Sequence, residues 1–444
     1  MDATDRGRRL LEAFTRRMPA GGLFADQHWR PAAGPFPLPA RLVRELESLG
    51  RVLLQFHRAA GLLYRQSAEG RQPEWVARWL DLGKPPELIR LQRHRRFRQE
   101  LPRVIRPDLL ITAEGLALTE LDSVPGGIGL TDWLHRWLEE VEPGAAARLV
   151  GGPDGMREGF AGIFGGAPRV HILVSEESAS YRPEMEWLAG RLDRRFAVQG
   201  ADFTDVGAGE AVYRFFELFD LENVPAAWPL FERAAAGEIQ LTPPPVAALE
   251  EKLWLALLWN GRLEGWWRRE LGAAFFERMR RLVPRSWVLD PAPIPPHAGI
   301  PGLDLADWEQ LKGLSQKRRQ LILKPSGFSP EAWGARGVFL GSDLSLDDWS
   351  RAVERALAGF TRGPWILQEY RKPARLPAEW IDPATGETRR MEGRVRLCPY
   401  YFVHGEGTAA RTRLGGVLAT ICPADKKIIH GMTEAILAPC AVGE

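Results

Sequence analysis

The sequence predicts a mixed protein, part α+β and part α/β, from three observations. Leucines recur every three or four residues between Pro39 and Arg71, which places them on one face of a helix. An apolar run from Arg169 to Ser175, a helical segment and a second short apolar run have the pattern of a βαβ unit. From about Gln320 onward, strand-like runs alternate with glycine-containing loops.

The composition limits the classes of partner that the protein can bind and indicates where in the cell it is expected. The chain has 444 residues, enough for two or three domains, and a formal net charge of +2. A charge this close to balance gives no field that favours nucleic acid or a membrane surface, and no apolar stretch is long enough to cross a bilayer. The three cysteines are too few for a disulfide framework. We therefore expect a cytoplasmic protein that binds neither nucleic acid nor membrane.

A charged hairpin follows the N-terminal helices. Arg106 and Asp108 lie on one predicted strand, Glu120 and Asp122 on the next, and Glu114-Gly115 reverse the chain between them. Residues two apart on a strand share a face, so the hairpin gathers one guanidinium and three carboxylates. A Mg²⁺ ion would relieve the repulsion between the carboxylates, and the arginine would hold a phosphoryl or carboxylate oxygen. A solvated edge hairpin with surface ion pairs is the alternative.

A small α/β segment comes next. The strand within Arg169 to Ser175 is followed by a helix from about Arg182 to Arg195 and a strand from Phe196 to Val198. No glycine-rich fingerprint follows the first strand, which argues against a dinucleotide site. A further helix is expected from Val212 to Phe219.

Two lysines in the second half of the chain are candidates for binding nucleotide phosphates. A strongly apolar helix is predicted from about Val246 to Trp259 and carries Lys252. Lys324 ends an apolar strand and is followed by a loop that contains Ser326 and Gly327. A strand lysine beside a flexible, glycine-containing loop is one way to cover nucleotide phosphates, and a plain β-turn is the alternative.

The following strand ends in polar residues. A helix from about Ser345 to Leu357 leads to this strand, which ends in Gln368, Glu369 and Tyr370. Backbone groups at such an end can bind an adenine edge, and Glu369 can accept a ribose hydroxyl. Solvated polar residues at a strand terminus are the alternative.

Two arginines near the C-terminus are weaker candidates. Arg396 lies in an alternating strand pattern, and Arg413 precedes Gly415-Gly416. Substrate binding and solvated strand faces explain both about equally well.

The order of these segments resembles a known family. The strand, lysine, glycine-rich loop, strand, helix and Gln-Glu-Tyr strand resemble the nucleotide-binding half of the ATP-grasp fold. The chain from about residue 100 to 430 resembles the circularly permuted branch of that fold, typified by the synthetase domain of glutathionylspermidine synthase. In that family an Arg-x-Asp strand and a Glu-x-Asn strand form an early metal-binding hairpin, and Asp122 stands here in place of the asparagine.

The resemblance implies roles for the matching residues. It implies a catalytic Arg106 and a metal site formed by Asp108, Glu120 and Asp122. It implies ATP binding by residues of the second half, namely Lys252, Lys324, Ser326, Gly327, Gln368, Glu369 and Tyr370. Arg396 and Arg413 are the substrate candidates. The interpretation requires that the hairpin and the two lysines act on one triphosphate.

The implied activity is an ATP- and Mg²⁺-dependent carboxylate–amine ligation through an acylphosphate. The partners would be a small-molecule or peptide-like carboxylate and an amine. An ATP-binding protein of this fold without ligase activity, serving as a sensor or partner subunit, is the alternative. An interaction scaffold with no site is a third hypothesis.

The expected fold is a circularly permuted ATP-grasp with a small pre-ATP-grasp-like α/β domain and a helical N-terminal region. The predicted boundaries are 1–99 for the helical region, 100–167 for the hairpin segment with its helices, 168–220 for the α/β domain and 221–444 for the nucleotide-binding lobes.

Overall fold

The computed structural model describes residues 3–294, 299–332, 334, 336–429 and 433–443. The chain divides into two compact units. The first unit comprises Met1–Gln55, His94–Pro245 and Pro373–Glu444, and the second comprises Phe56–Arg93 and Val246–Lys372. Both units are therefore discontinuous in sequence.

The described residues contain both helices and strands, in the following order within each type. The α-helices are α1 (Ala3–Arg17), α2 (Gly22–Ala25), α3 (Ala40–Ala68), α4 (Glu74–Asp81), α5 (Pro86–Gln92), α6 (Ile128–Val141), α7 (Pro143–Ala146), α8 (Gly155–Gly162), α9 (Arg182–Arg191), α10 (Ala227–Ala236), α11 (Leu253–Leu257), α12 (Glu264–Leu282) and α13 (Leu346–Ala358). The strands are β1 (Arg30–Pro31), β2 (Phe36–Leu38), β3 (Val104–Thr112), β4 (Gly115–Asp122), β5 (Val170–Val174), β6 (Phe196–Gln199), β7 (Ala211–Phe215), β8 (Gln240–Thr242), β9 (Ser286–Val288), β10 (Leu321–Pro325), β11 (Phe339–Leu340), β12 (Trp365–Glu369), β13 (Arg375–Ile381), β14 (Thr388–His404), β15 (Arg411–Pro423) and β16 (Ile436–Val442). Among these helices, none combines the length and the apolar character that crossing a bilayer requires.

The largest sheet belongs to the first unit and contains the predicted hairpin. Its strand order is β1-β16-β15-β14-β3-β4, with β13 paired to β14 and β2 paired to β16. The hairpin strands β3 and β4 pair antiparallel, and β3 also pairs antiparallel with β14. The short strands β1 and β2 run parallel to β16. The hairpin is thus built into a sheet with β13 to β16 from the C-terminal part of the chain and the short strands β1 and β2 from its N-terminal part.

The second sheet of the first unit is the small α/β layer. Its order is β6-β5-β7-β8, and all three pairings are parallel. The predicted strand, helix and strand are confirmed as β5, α9 and β6. The predicted helix from Val212 to Phe219 is wrong, because Ala211–Phe215 form β7 and all five residues are buried. A parallel strand that is covered on both faces reads as a continuous apolar run, and such a run resembles a buried helix.

The second unit has a four-stranded antiparallel sheet with the order β11-β10-β12-β9. The predicted strands around Lys324 and Gln368 are confirmed as β10 and β12. The helix α13 begins after Ser345, whose hydroxyl accepts a hydrogen bond from the Asp348 amide at 3.1 Å and so caps the helix.

The long helix predicted from Val246 to Trp259 is interrupted. A 3₁₀ turn at Ala247–Glu250 is followed by Glu251 in an extended conformation (φ −91°, ψ 127°), and α11 begins at Leu253. Apolar periodicity alone cannot show this break. Its physical cause is the set of contacts that the Glu251 side chain makes, described below.

The helix α6, which follows the hairpin, is fixed by aromatic packing. Trp133 and Trp137 on α6 are each about 1% exposed and lie edge-on to Phe14 of α1, at ring-centroid distances of 5.0 and 5.5 Å. Edge-to-face contacts at this separation are favourable. The start of α6 is therefore held rigidly beside the end of β4.

Candidate functional site

The hairpin brings its charged residues together as predicted. In the register of β3 and β4, Arg106 lies opposite Asp122 and Asp108 lies opposite Glu120. A β-bulge follows Asp108, and the hydroxyl of Thr119 donates to the Asp108 carbonyl at 3.2 Å. Bulges are common beside functional sites because they redirect side chains. All four charged side chains therefore lie at neighbouring positions of the β3–β4 pair.

Arg106 is held between two carboxylates. Its Nε lies 3.2 Å from Asp108 Oδ1, and its Nη2 lies 2.9 Å from Asp122 Oδ2. Its Nη1 donates to the carbonyl of Gly126 at 3.0 Å. Burial lowers the pKa of Arg106, but Asp108 and Asp122 outweigh that penalty, so the pKa lies well above its ordinary value. The guanidinium is thus permanently charged and fixed in orientation.

A second arginine, Arg396 of β14, completes the group. Its Nη1 lies 2.9 Å from Asp108 Oδ2, and the Cys398 thiol lies 3.5 Å from Asp108 Oδ1. Asp108 itself is only 4% exposed. Burial lowers the pKa of Arg396, but Asp108 together with Cys398 and Cys422 outweighs this, so the pKa lies above its ordinary value. We call Arg106, Asp108, Asp122 and Arg396 the hairpin cluster.

The carboxylates of the hairpin are chemically suited to a hard cation. Burial raises the pKa of Asp122, Arg106 partly offsets the rise, and Glu120 adds to it. Directly opposite residues such as Asp108 and Glu120 have Cβ atoms about 5 Å apart. Mg²⁺ usually binds one or two carboxylates together with substrate phosphates, and this pair fits that requirement. Among the described residues, no group of three or more His, Cys, Asp or Glu side chains is gathered around one metal position.

A buried glutamate that the sequence did not single out supports the turn after β4. Glu184 of α9 is fully buried and accepts hydrogen bonds from the amides of Gly127 (2.7 Å) and Leu130 (2.9 Å) at the start of α6. Gly127 has φ 87°, and a Cβ there would lie 2.4 Å from the Tyr400 hydroxyl. That hydroxyl donates to Gly126 O at 2.9 Å, the same carbonyl that receives Arg106. Glu184 thereby fixes the turn that orients Arg106.

The Glu184 carboxyl has a shifted pKa. Burial raises it to about 7, although the backbone amides that donate to it favour the ionised form. The only sequence signal was a glutamate inside a helix that follows a buried strand, and that pattern also fits a solvated helix face.

In the second unit, Lys324 and Gln368 are brought together on adjacent strands. Lys324 is 6% exposed and its Nζ donates to Gln368 Oε1 at 3.0 Å. The Gln368 amide nitrogen in turn donates to the Ser286 hydroxyl at 3.0 Å. Glu369 and Tyr370 follow at the strand end, half-buried, with Glu369 Oε2 3.1 Å from Arg371 Nη2.

The loop after Lys324 is anchored by Glu251. Ser326 and the amide of Gly327 both donate to Glu251 Oε2, the amide at 3.0 Å, and Glu251 Oε1 forms an ion pair with Lys84. A Cβ at Gly327 would lie 2.0 Å from the Glu250 carbonyl, so only glycine fits. We call Lys84, Glu251, Ser326 and Gly327 the loop anchor.

Lys252 also contacts this loop, since its Nζ donates to the Ala332 carbonyl at 3.0 Å. Both predicted lysines therefore lie beside the predicted loop. Sequence reasoning missed Lys84 and Glu251. The one available signal was a charged residue, Glu251, that interrupts an otherwise apolar run.

The two substrate candidates have different surroundings. Arg396 belongs to the hairpin cluster, whereas Arg413 is 46% exposed and pairs with Glu158 of α8 at 2.7 Å. The hairpin lies in the first unit and the two lysines in the second. Their joint action on one triphosphate stays a prediction.

In sequence, the chain matches no family model and no curated protein. In structure, it is similar to a glutathione synthetase-like effector from Globodera pallida, with a TM-score of 0.57 at 12% identity over 100% of this chain and 98% of that one. The two proteins share a fold.

A candidate gamma-glutamylcysteine synthetase from Methylobacillus flagellatus KT aligns with a TM-score of 0.39 at 11% identity, over 87% of this chain and 88% of that one. A likeness at that level identifies no common fold. The predicted mixed α/β class is confirmed in this coarse form, with the hairpin cluster and the loop anchor placed on it.

Proposed function

We propose that this protein is an ATP-dependent ligase that joins a carboxylate to an amine. The observation that carries the proposal is the hairpin cluster, in which Arg106 lies between Asp108 and Asp122 while Glu120 stands opposite Asp108. The fold shared with a glutathione synthetase-like effector supports it. The fold would then be an ATP-grasp fold in its circularly permuted form.

The second unit supplies the groups for the nucleotide. Lys324 and Lys252 would offset the negative charge of the phosphates, and the loop at Ser326 and Gly327 would cover them. The strand end at Gln368–Tyr370 would bind the adenine and ribose. In this proposal ATP is the substrate that supplies the energy of the amide bond.

The first unit supplies the groups for the reaction. The opposed carboxylates of Asp108 and Glu120 would hold Mg²⁺, which would neutralise charge on the phosphate oxygens, while Asp122 pairs with Arg106. An oxygen of the substrate carboxylate would attack the γ-phosphorus and ADP would leave. The amine would then attack the acyl carbon and lose a proton to solvent, and phosphate would leave as the carbonyl is restored. Arg106 would stabilise the negative charge that develops on the transferring group.

The test uses the intact protein in two steps. A non-hydrolysable ATP analogue should raise the Tm, and the rise should depend on Mg²⁺. A panel of carboxylates with hydroxylamine as the amine should then release ADP and yield a hydroxamate from one class of acid. Glu120→Gln should lower turnover by about 100-fold or more, since removing one group that stabilises developing charge has effects of that size.

A matched control is Glu114→Gln, which changes the exposed glutamate in the turn of the same hairpin. It should leave turnover unchanged. Absence of any stabilisation by nucleotide would overturn the proposal. Stabilisation without acid-dependent ADP release would show an ATP-binding protein that is not a ligase.

A further inference from the structure

The second unit contains a buried ion pair with no assigned role. The side chains of Lys84 and Glu251 are 0% and 1% exposed, and Lys84 Nζ contacts Glu251 Oε1. Burying two charges is costly, and apolar side chains of similar size often stabilise a fold as well or better. A pair buried this deeply therefore calls for an explanation other than stability.

The explanation lies in the second oxygen of the carboxylate. Glu251 Oε2 accepts hydrogen bonds from the Ser326 hydroxyl and from the Gly327 amide, at 3.0 Å for the amide. The Ser326 oxygen accepts in turn from the Leu253 amide at 3.1 Å. One carboxylate thus ties the loop after Lys324 to the segment that carries Lys252.

Lys84 contributes in two further ways. Its Nζ donates to the Leu80 carbonyl at 2.5 Å, which fixes it at the end of α4. It also lies 5.6 Å from the centre of the Phe328 ring, within the range of a cation–π contact. Lys84 therefore both compensates the charge of Glu251 and contacts the loop.

The loop has open space on one side. A cavity of about 430 Å³ is lined by Pro325, Ser326, Phe328, Ser329 and Pro330 of the loop, and by Glu251. Side chains that face such a space are not fixed there by packing. The bonds to Glu251 join the Ser326 amide, which donates to the Pro364 carbonyl at 3.0 Å, in tying this face of the loop to the rest of the unit.

We propose that Glu251 is a positioning residue that holds the loop at Ser326–Phe328 in its nucleotide-binding position, and that Lys84 is the buried cationic partner that holds the Glu251 carboxylate in place. This inference rests on the proposed function. Without Glu251, the loop would move into the neighbouring cavity, and the amides and hydroxyl that cover the phosphates would no longer be aligned with Lys324.

The decisive variant replaces both charges, Lys84→Met with Glu251→Leu. The apolar pair should keep the Tm within about 5 °C of wild type, because no buried charge is left alone. Affinity for the ATP analogue with Mg²⁺ should fall roughly tenfold or more, since bonds to a charged acceptor are lost. Amide hydrogen exchange in residues 325–331 should rise in the nucleotide-free protein, while β10 and β12 stay protected.

Two further variants keep the test decisive. Asp81→Asn changes another carboxylate of the same unit, one held by Tyr64 and Arg93, and should leave affinity and loop exchange unchanged. If the double variant does not fold, Ser326→Ala removes one bond to Glu251 and should raise loop exchange to a smaller extent.

The outcomes are distinguishable. Wild-type affinity and wild-type loop exchange in the double variant would overturn the inference while leaving the proposed function intact. Failure of the wild-type protein to bind nucleotide would overturn the proposed function. If loop exchange in the double variant were also unchanged, the role of Glu251 in holding the loop would be wrong as well.

Discussion

The hairpin cluster and the loop anchor both bury charge, but they neutralise it differently. In the hairpin cluster, Asp108 faces two guanidinium groups, those of Arg106 and Arg396, and Arg106 also reaches Asp122. In the loop anchor, one oxygen of Glu251 pairs with the Lys84 ammonium, and its second oxygen accepts from a neutral hydroxyl and an amide. The hairpin cluster is a network of ionised side chains. In the loop anchor, a carboxylate instead holds the backbone amide and the hydroxyl of a loop.

The difference teaches which measurement each group should affect. In a network of ionised side chains, loss of one member leaves the others without a partner where water solvates them poorly, so the free energy of unfolding falls. Where a charge orients neutral groups, a compensated replacement spares the fold and alters only the geometry of the loop. The variants below test this contrast, from the largest expected effect to the smallest.

The largest effect is expected for Asp108→Asn. The substitution leaves the half-buried guanidinium groups of Arg106 and Arg396 beside a neutral amide at a site where Asp108 was buried, so the free energy of unfolding should fall by about 3 kcal/mol. Urea denaturation would measure it. Arg351→Ala, which breaks an exposed pair with Asp348, is the control and should cost under about 1 kcal/mol. A loss for Asp108→Asn as small as the control's would show that the network is solvated.

The sequence predicted the hairpin because its determinants are local. Alternation within each strand and the turn at Glu114-Gly115 set the register, and both lie within a few residues of one another. The partner Arg396 is 288 residues from Asp108 along the chain. Only the pairing of β14 with β3 brings it close, so its role as a counter-ion to Asp108 could not be predicted.

The two incorrect helix predictions concern apolar runs, and the sequence of such a run does not show which parts of the fold pack against it. β7 reads as a helix because it is buried on both faces. The helix through Lys252 breaks because Glu251 turns away to reach Lys84, a tertiary contact without local signal. The strands β1 and β2 have two and three residues, too short to show any period.

The next largest effect is a pH dependence of the free energy of unfolding, caused by Glu184. Its folded pKa of about 7 lies above the ordinary value of 4.5, so the folded state binds the proton more tightly than the unfolded state does. This contribution to stability is fully present below about pH 4.5 and is lost as the pH rises through 7. Over that window the loss is roughly 3 kcal/mol.

Glu184→Gln removes this dependence, so the variant should gain stability relative to wild type between pH 4.5 and pH 7. Thermal or urea unfolding at a series of pH values would measure the difference. Glu186→Gln, on the same helix with a side chain that is 55% exposed, is the control and should track wild type. Parallel curves for wild type and Glu184→Gln would show that the buried carboxyl titrates normally.

Lys324→Met separates binding from stability. Its hydrogen bond to the neutral Gln368 amide oxygen contributes about 1 kcal/mol of unfolding free energy, well below the effect expected for Asp108→Asn. Affinity for the ATP analogue should fall at least tenfold, because a cation beside the phosphates is removed. Calorimetric titration and urea denaturation of the same preparation would measure both quantities. A large loss of stability with unchanged affinity would place Lys324 in the fold rather than in the site.

The smallest effect is expected for Arg413→Ala. The Arg413 and Glu158 side chains are 46% and 48% exposed, and a pair of this kind contributes about 0.5 kcal/mol or less. Arg396→Ala should lower the free energy of unfolding several times more, because the buried Asp108 carboxylate then loses one of its two cationic partners. The two arginines begin as equal candidates in the sequence, and their surroundings alone separate them. If Arg413→Ala instead raised the KM for the carboxylate tenfold without changing stability, Arg413 would contact the substrate and the contrast between the two arginines would be wrong.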